Sequence, residues 1–186
     1  MEGFLDRLYM DNKGEEKMMM SALIIKNRVG LSIISVLLMT FTSVTAYAEE
    51  GRFVFSDLTV TDKSTGLVWA RDANIANKSL KWDEAIRFLK QLNGEKYGGY
   101  SDWRLPTRDE LQTLIDYAKS RGYISDFSDV FNRIGFKNVQ VFYYWSSTSN
   151  PYDTADMFGI TMFNGGVNSG DKKFTSYNIW PVRGGK

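Results

Sequence analysis

The stretch YGGYSDWRLPTRDEL, Tyr97–Leu111, decides how this chain is read. Its second half is a helix start. Thr107 stands at an N-cap position and Glu110 three residues on, the spacing of a capping box in which each side chain meets the other's backbone N–H. Pro106 holds Leu105 to an extended shape. Leu111, Leu114, Ile115 and Ala118 follow at helical spacing, and Gly122 supplies a stop. The first half, Asp102, Trp103 and Arg104, admits two readings. As a site, the indole stacks on a ligand while the Asp and Arg hydrogen-bond it. As scaffold, Trp103 fills the core and Arg104, a planar fork of five donors, ties the loop to Glu110 or to backbone carbonyls. The scaffold reading is preferred.

Upstream, SLKWDEAIRFLKQLNG predicts a helix with Ser79 as N-cap and Asn93-Gly94 as its close. Trp82, Ala85, Ile86, Leu89 and Leu92 share one face, and Asp83 and Glu84 sit in the first turn, where the helix dipole favours them. LTVTDKSTGLVWARD reads as a hairpin turning at Lys63–Gly66, with Trp69 in the core. Phe53–Phe55 is a first short strand. Downstream of Gly122 the pattern is loop and strand. VFYYWSSTS is β-prone and packs Trp145 inward; the alternative is a hydroxyl-lined platform of Ser146, Ser147 and Thr148. ADMFGITMF alternates up to the turn signal Asn164-Gly165-Gly166. YNIWPVRGG is a last strand, where Pro181 implies an edge or a bulge and Arg183 is expected to pair with an inner carboxylate. These elements make one α+β domain over residues 49–186, with two helices among short strands.

Composition narrows the chemistry. The 186 residues are enough for one domain with a real core. With 23 Lys plus Arg against 22 Asp plus Glu, the chain carries no global charge argument for nucleic acid, and none is expected as a partner. It has neither Cys nor His. That removes Cys and His nucleophiles, Ser-His-Asp triads, the usual zinc sites and disulfides. Carboxylate, Lys or Tyr chemistry and oxygen-ligated metals remain.

The N-terminal region carries an address. Lys26 and Arg28 precede an apolar run, Leu31–Phe41, and Ala46-Tyr47-Ala48 is an A-x-A cleavage pattern. Residues 1–48 are therefore read as an extension plus signal peptide. The expected location is periplasmic, secreted or cell-surface. An uncleaved membrane anchor is the alternative, since no charge lies between Arg28 and Glu49. The polar, acidic stretch before Met18-Met19-Met20 suggests that translation starts at one of those methionines. An exported chain without Cys must hold together by burial and hydrogen bonding alone.

TGLVWARD, WDEAIRFLKQLN, GGYSDWRLPTRDEL, YWSSTS and VRGG occur in this order, and in this the chain resembles the Lcl C-terminal domain family of bacterial secreted or surface proteins. The resemblance covers roughly Val60 to Gly184. RLPT followed by a Glu three residues on is more distantly similar to the formylglycine-generating-enzyme group, which implies a C-type-lectin-like fold: N- and C-terminal strands paired, two flanking helices, long ligand-carrying loops. Family members often carry a Cys in the first helix and another near the terminal Arg. Leu89 or its neighbours and Val182 stand there, so redox or copper chemistry is not implied. The namesake domains end collagen-like adhesins and bind sulfated polysaccharides; this chain has no Gly-x-y stalk.

The expectation is an exported, non-enzymatic domain binding carbohydrate or a surface protein through its loops. The alternatives are a structural, homo-oligomeric component of a surface assembly and a carbohydrate-active enzyme using carboxylates such as Asp126, Asp153 and Asp156. The contact loops are expected around Asn150–Asp156 and Asn164–Lys173, with Tyr152, Asn164, Asn168, Asp171, Lys172 and Lys173 as ligand residues. No cofactor is expected. Ca²⁺ is conceivable at Asn164, Asn168 and Asp171, although their spacing is not that of an EF-hand and turn tips carry such residues anyway. The scaffold set is Trp69, Trp82, Asp102, Trp103, Arg104, Pro106, Thr107, Glu110, Trp145 and Arg183.

Overall fold

A computed structural model describes residues 51–185. The export signal, the membrane-anchor alternative and the candidate start methionines lie outside those residues. Among the described residues no helix is long and apolar enough to cross a membrane.

The chain runs β1 (Phe53–Phe55), β2 (Thr59–Asp62), β3 (Val68–Ala70), α1 (Trp82–Gly94), a 3-10 turn (Tyr97–Gly99), α2 (Arg108–Ser120), α3 (Phe127–Ile134), β4 (Tyr143–Asn150), β5 (Asp153–Thr161), β6 (Val167–Asp171) and β7 (Val182–Arg183). It is an α+β domain. One antiparallel sheet has the order β1-β2-β3-β7 and the other β4-β5-β6. The C-terminal strand lies beside β3, in register Trp69↔Val182, and not beside β1. Its other side is closed by a bridge in which Arg104 and Val182 exchange both backbone hydrogen bonds, at 2.9 and 3.0 Å. So β7 ends its sheet without leaving a free edge.

Several local expectations hold. Thr107 caps α2 and Glu110 answers it, accepting from the Thr107 N–H at 2.8 Å. Gly122 follows that helix with φ +85°. Others need correction. Ser79 does not cap α1: its hydroxyl bonds Asn178, and Glu84 reaches back to the Lys81 N–H instead. The left-handed residue after α1 is Lys96; Gly94 is still helical. A third helix, α3, occupies a region expected to be loop and strand. Phe127, Val130, Phe131 and Ile134 give it one apolar face, Asp126 caps its start, and Gly135 at φ +119° ends it. FNGGVNSGDKK is not one loop but turn, strand and turn around β6.

Two hydrophobic clusters carry the domain. In the first, Trp69 and Trp180 meet at 5.5 Å between ring centroids, and Phe131 and Phe136 pack edge-on against Trp180. Such geometries suit the ring quadrupoles. In the second, Trp103 and Trp145 lie beneath α1 with Leu89, Leu92 and Met157. Buried indoles find acceptors: Trp180 donates to Ala70 O, Trp145 to Leu80 O and Trp103 to Tyr97 O. Trp69 Nε1 has none.

Two charged knots fasten the clusters. Asp62 is fully buried, and Arg52 grips both its oxygens at 2.8 and 2.6 Å. Ser64 and Thr65 also donate to Asp62, which fixes the β2–β3 turn, while Arg52 donates to Thr113 O on α2. The second knot is Arg104 with Glu110, at 2.8 and 2.7 Å. Arg104 also donates to Gly184 O at 2.6 Å. Gly185, at φ +73°, lies so close that a Cβ there would stand 3.1 Å from both Arg104 and Glu110. The paired glycines let the terminus wrap this ion pair.

Two outcomes follow. Removing Arg104 strands Glu110 half-buried and frees the terminus. Because over a third of the Arg104 side chain is exposed, Arg104→Ala should cost about 2–4 kcal/mol rather than the full penalty for a buried pair. Urea denaturation measures it, and a loss below about 0.5 kcal/mol would contradict the assignment. Acid should also unfold the domain. Burial pushes the Asp62 and Glu110 carboxyls up, but hydrogen bonds from Arg52, Ser64 and Thr65 to the first, and from Arg104 and Thr107 to the second, outweigh it and hold both below the usual carboxylate range. The unfolded chain therefore takes up protons first as pH falls. Stability is at its plateau above the ordinary carboxylate pKa and drops through the depressed values below it. Denaturation series from pH 7 to pH 2 should fall steeply below about pH 4, and less steeply in Glu110→Gln.

Candidate functional site

A concavity lies between α1 and the Trp103–Leu105 segment. It is a cleft of about 450 Å³ walled by Trp82, Ile86, Leu89, Trp103 and Leu105, with Lys90, Asn93, Arg104 and Ser147 among its lining. Positions 82, 86, 89 and 93 recur every three or four residues, so one helix face supplies one wall. The opposite wall is an extended segment held in place by backbone pairing. Asn93 accepts from the Trp103 N–H at 2.7 Å and donates to Trp103 O at 2.9 Å, stitching the segment to α1. Tyr97 and Tyr100 lie edge-on to Trp103 at 5.8 and 6.1 Å. Ser147 closes the end of the cleft, with its N–H donating to Pro106 O at 2.7 Å.

Cations gather here. Lys172 Nζ sits 5.4 Å from the Trp82 ring centroid and donates to Thr154 O. Lys90 is exposed, and no partner for it is found among the described residues. The Trp82 Nε1–H is shielded from water and has no acceptor.

The residues expected from the sequence fall into three places. Trp82, Trp103, Arg104 and Lys172 meet at or beside the cleft. Tyr152, almost fully exposed, and Lys173 stand at the neighbouring tips of the β4–β5 and β6 turns. Asn150 Oδ1 and Asp171 Oδ1 accept backbone N–H groups there and hold both turns. Asn164 lies at the opposite end of β6, where its side chain accepts from Gly166 N. A five-residue strand spans roughly 13 Å, so Asn164, Asn168 and Asp171 do not converge on one ion. Among the described residues no group of three or more acidic side chains is arranged to hold a metal.

Arg183 does pair with a carboxylate, but not an inner one. Its partner is Asp102, more than half exposed, bound at 2.6 and 3.0 Å, with the guanidinium 3.9 Å above Tyr100. The hydrogen bond from Arg183 holds the Asp102 carboxyl below its usual range. Trp145 is fully buried, and Ser146 turns in to bond Phe158 O, so the hydroxyl platform does not form. The carboxylates considered for catalysis are dispersed: Asp126 caps α3 and Asp153 caps a turn at Ala155. Sequence reasoning missed Ile86, Lys90, Asn93 and Ser147 as a shared lining. The helical spacing of the first three was visible; what they face was not.

No curated protein matches the chain. The sequence profile of the Lcl C-terminal domain matches residues 58–183, which include α1, the Trp103–Leu105 wall and Ser147. The chain belongs to the Lcl C-terminal domain family.

Proposed function

We propose that this protein is an exported, non-enzymatic recognition domain, of C-type-lectin-like arrangement, that binds glycan in the cleft beside α1. The observation that carries this reading is the pairing of aromatic walls, Trp82 and Trp103, with cationic and amide groups at the rim. A sugar ring presents an apolar face and a hydroxyl edge, and such a cleft offers a partner for each. The order of the walls also supports it, because a stitched segment presents the indoles with little entropy left to lose. Tyr152 and Lys173, on neighbouring held turns, extend the contact surface beyond the cleft.

A glycan array probed with the full chain, expressed with its own N-terminal segment, tests the reading. Trp82→Ala should weaken any hit by about tenfold or more, the loss of an aromatic contact worth about 1.4 kcal/mol. Trp82 is half-buried and packs against the second cluster, so some loss of melting temperature is expected as well, and the affinity is compared per folded molecule. An array without hits, together with a tight protein partner in pull-downs, would sink the glycan assignment.

A second reading draws on a different surface. Tyr123, Ile124, Phe142, Phe163 and Val167 are exposed apolar side chains near the far ends of β4, β5 and β6. Backbone bonds from Asp126 to Phe163 and from Met162 to Phe142 bring three of these segments together. Such a surface supports self-association in a surface assembly. Light scattering should then give a dimer or larger, reduced to monomer by Ile124→Glu with Phe142→Glu. A monomer at every concentration removes this reading.

A further inference from the structure

Each sheet has one closed edge and one open edge. β7 is bridged by Arg104, and β4 by Asn178, which exchanges backbone bonds with Tyr143 and Trp145. That leaves β1, three residues long, and β6. β6 runs against β5 in five consecutive pairs without a bulge. It holds no Pro and no Lys, and its one charge, Asp171, stands at its end, so the usual devices that blunt an edge strand are nearly absent. The phase of its free groups is fixed by two bonds. Thr161 N–H donates to Gly166 O and Lys172 N–H to Ala155 O, so residues 166, 168, 170 and 172 face β5. The N–H and C=O groups of Val167 and Ser169 therefore point out of the sheet, and none of them has a partner among the described residues. Asp171 O, in the same phase, takes the Thr175 N–H. An exposed phenylalanine stands beyond each end of the strand: Phe163, 54% exposed, six residues before Ser169, and Phe174, 82% exposed, five residues after it.

From this we infer that β6 pairs antiparallel with β6 of a second copy of the chain, about a two-fold axis at Ser169. The inference rests on the proposal that copies of the chain self-associate, and it names their joint. Phe163 and Val167 belong to the exposed apolar surface of that proposal, so the joint starts within it. An open edge needs a strand whose free groups have the same phase. Under this axis Ser169 meets Ser169 and Val167 meets Asp171, all residues whose backbone groups face outward. The flanks match as well. Phe163 of one copy comes to the same end as Phe174 of the other, and this happens at both ends of the joint, so each exposed ring gains an apolar neighbour. The axis at Ser169 pairs the whole strand with itself. An axis at Asp171 would set two carboxylates opposite each other, which is unfavourable. An axis nearer Val167 would run the partner into the Gly165-Gly166 turn. The contact is isologous, so it closes at two copies and does not grow into a fibre.

Light scattering of the full chain over a concentration series, joined to site-directed cross-linking, tests this. The wild-type chain should form a dimer. Ser169→Lys sets two ammonium groups on the axis and should raise the dimer dissociation constant by about tenfold or more. Phe174→Asp lies in an exposed turn outside the strand, where the fold does not depend on it, and should raise the constant by about threefold or more. Unchanged far-UV circular dichroism checks the fold of each variant. The chain has no Cys, so Ser169→Cys carries a single thiol per copy, and the shortest bismaleimide should link it into a covalent dimer. Tyr152→Cys is the control: its two copies lie at opposite ends of the joint and should stay unlinked. A dimer that neither Ser169→Lys nor Phe174→Asp weakens overturns the inference and leaves self-association through the wider apolar surface standing. So does a dimer in which Ser169→Cys does not cross-link. A monomer at every concentration removes the self-association reading and this inference with it.

Discussion

The Arg104–Glu110 pair ties the loop before α2 and the start of that helix to the C-terminal segment, 80 residues away. Glu110 also accepts from the Thr107 N–H, so it caps α2 and grips the loop with one carboxylate. Arg104 then reaches the terminal segment at Gly184 O, while its own backbone pairs with Val182. Each link depends on the others. Without Glu110 the guanidinium loses the partner that orients it; without the Gly184-Gly185 wrap the pair is more open to water, where ion pairs are weak. A Cys-free domain closes its terminus this way, through a charge-assisted knot and a two-residue strand rather than a covalent staple.

That knot also stands beside the candidate cleft. The residues next to Arg104, Trp103 and Leu105, form a wall of the cleft beside α1. The motif that builds the fold therefore supplies part of the candidate site as well. A reading that treated scaffold and site as alternatives for Asp102, Trp103 and Arg104 divided what the structure joins. Asp102 belongs to a separate surface pair with Arg183, Trp103 is at once core and wall, and Arg104 does its bonding behind the cleft while lining it.

What the sequence made legible was local. The capping box, the β2–β3 hairpin, the β5–β6 turn and the apolar face of α1 each announce themselves within a dozen residues, because their causes are short-range: a cap, a turn glycine, a periodicity. α3 was legible by the same rule, in the spacing of Phe127, Val130, Phe131 and Ile134, but eight residues are few for a periodic signal. Ser79 failed as a cap for a different reason: a tertiary partner, Asn178, claims its hydroxyl. The candidate site was mostly illegible. Lys172 meets Trp82 across ninety positions of chain, and Asn93 meets Trp103 only because the turn at Lys96 brings the loop back. Asn164 and Asp171 looked like one site on paper, since seven residues in a loop are close and seven along a strand are not.

The stitching by Asn93 has a consequence for recognition. Two hydrogen bonds to the backbone of one residue hold the loop against α1, so scaffold bonds set the width of the cleft. Both indoles on its walls are held as well: Trp103 by its bond to Tyr97 O and by two tyrosine edges, Trp82 by the Lys172 ammonium over its ring. A ligand entering such a cleft orders little of the protein, and more of its contact energy appears as affinity. The same rigidity limits what fits. Side chains already committed to scaffold bonds cannot turn to meet new hydroxyls without breaking the fold that positions them. On the proposed glycan reading, selectivity falls to the groups that the scaffold bonds leave unused.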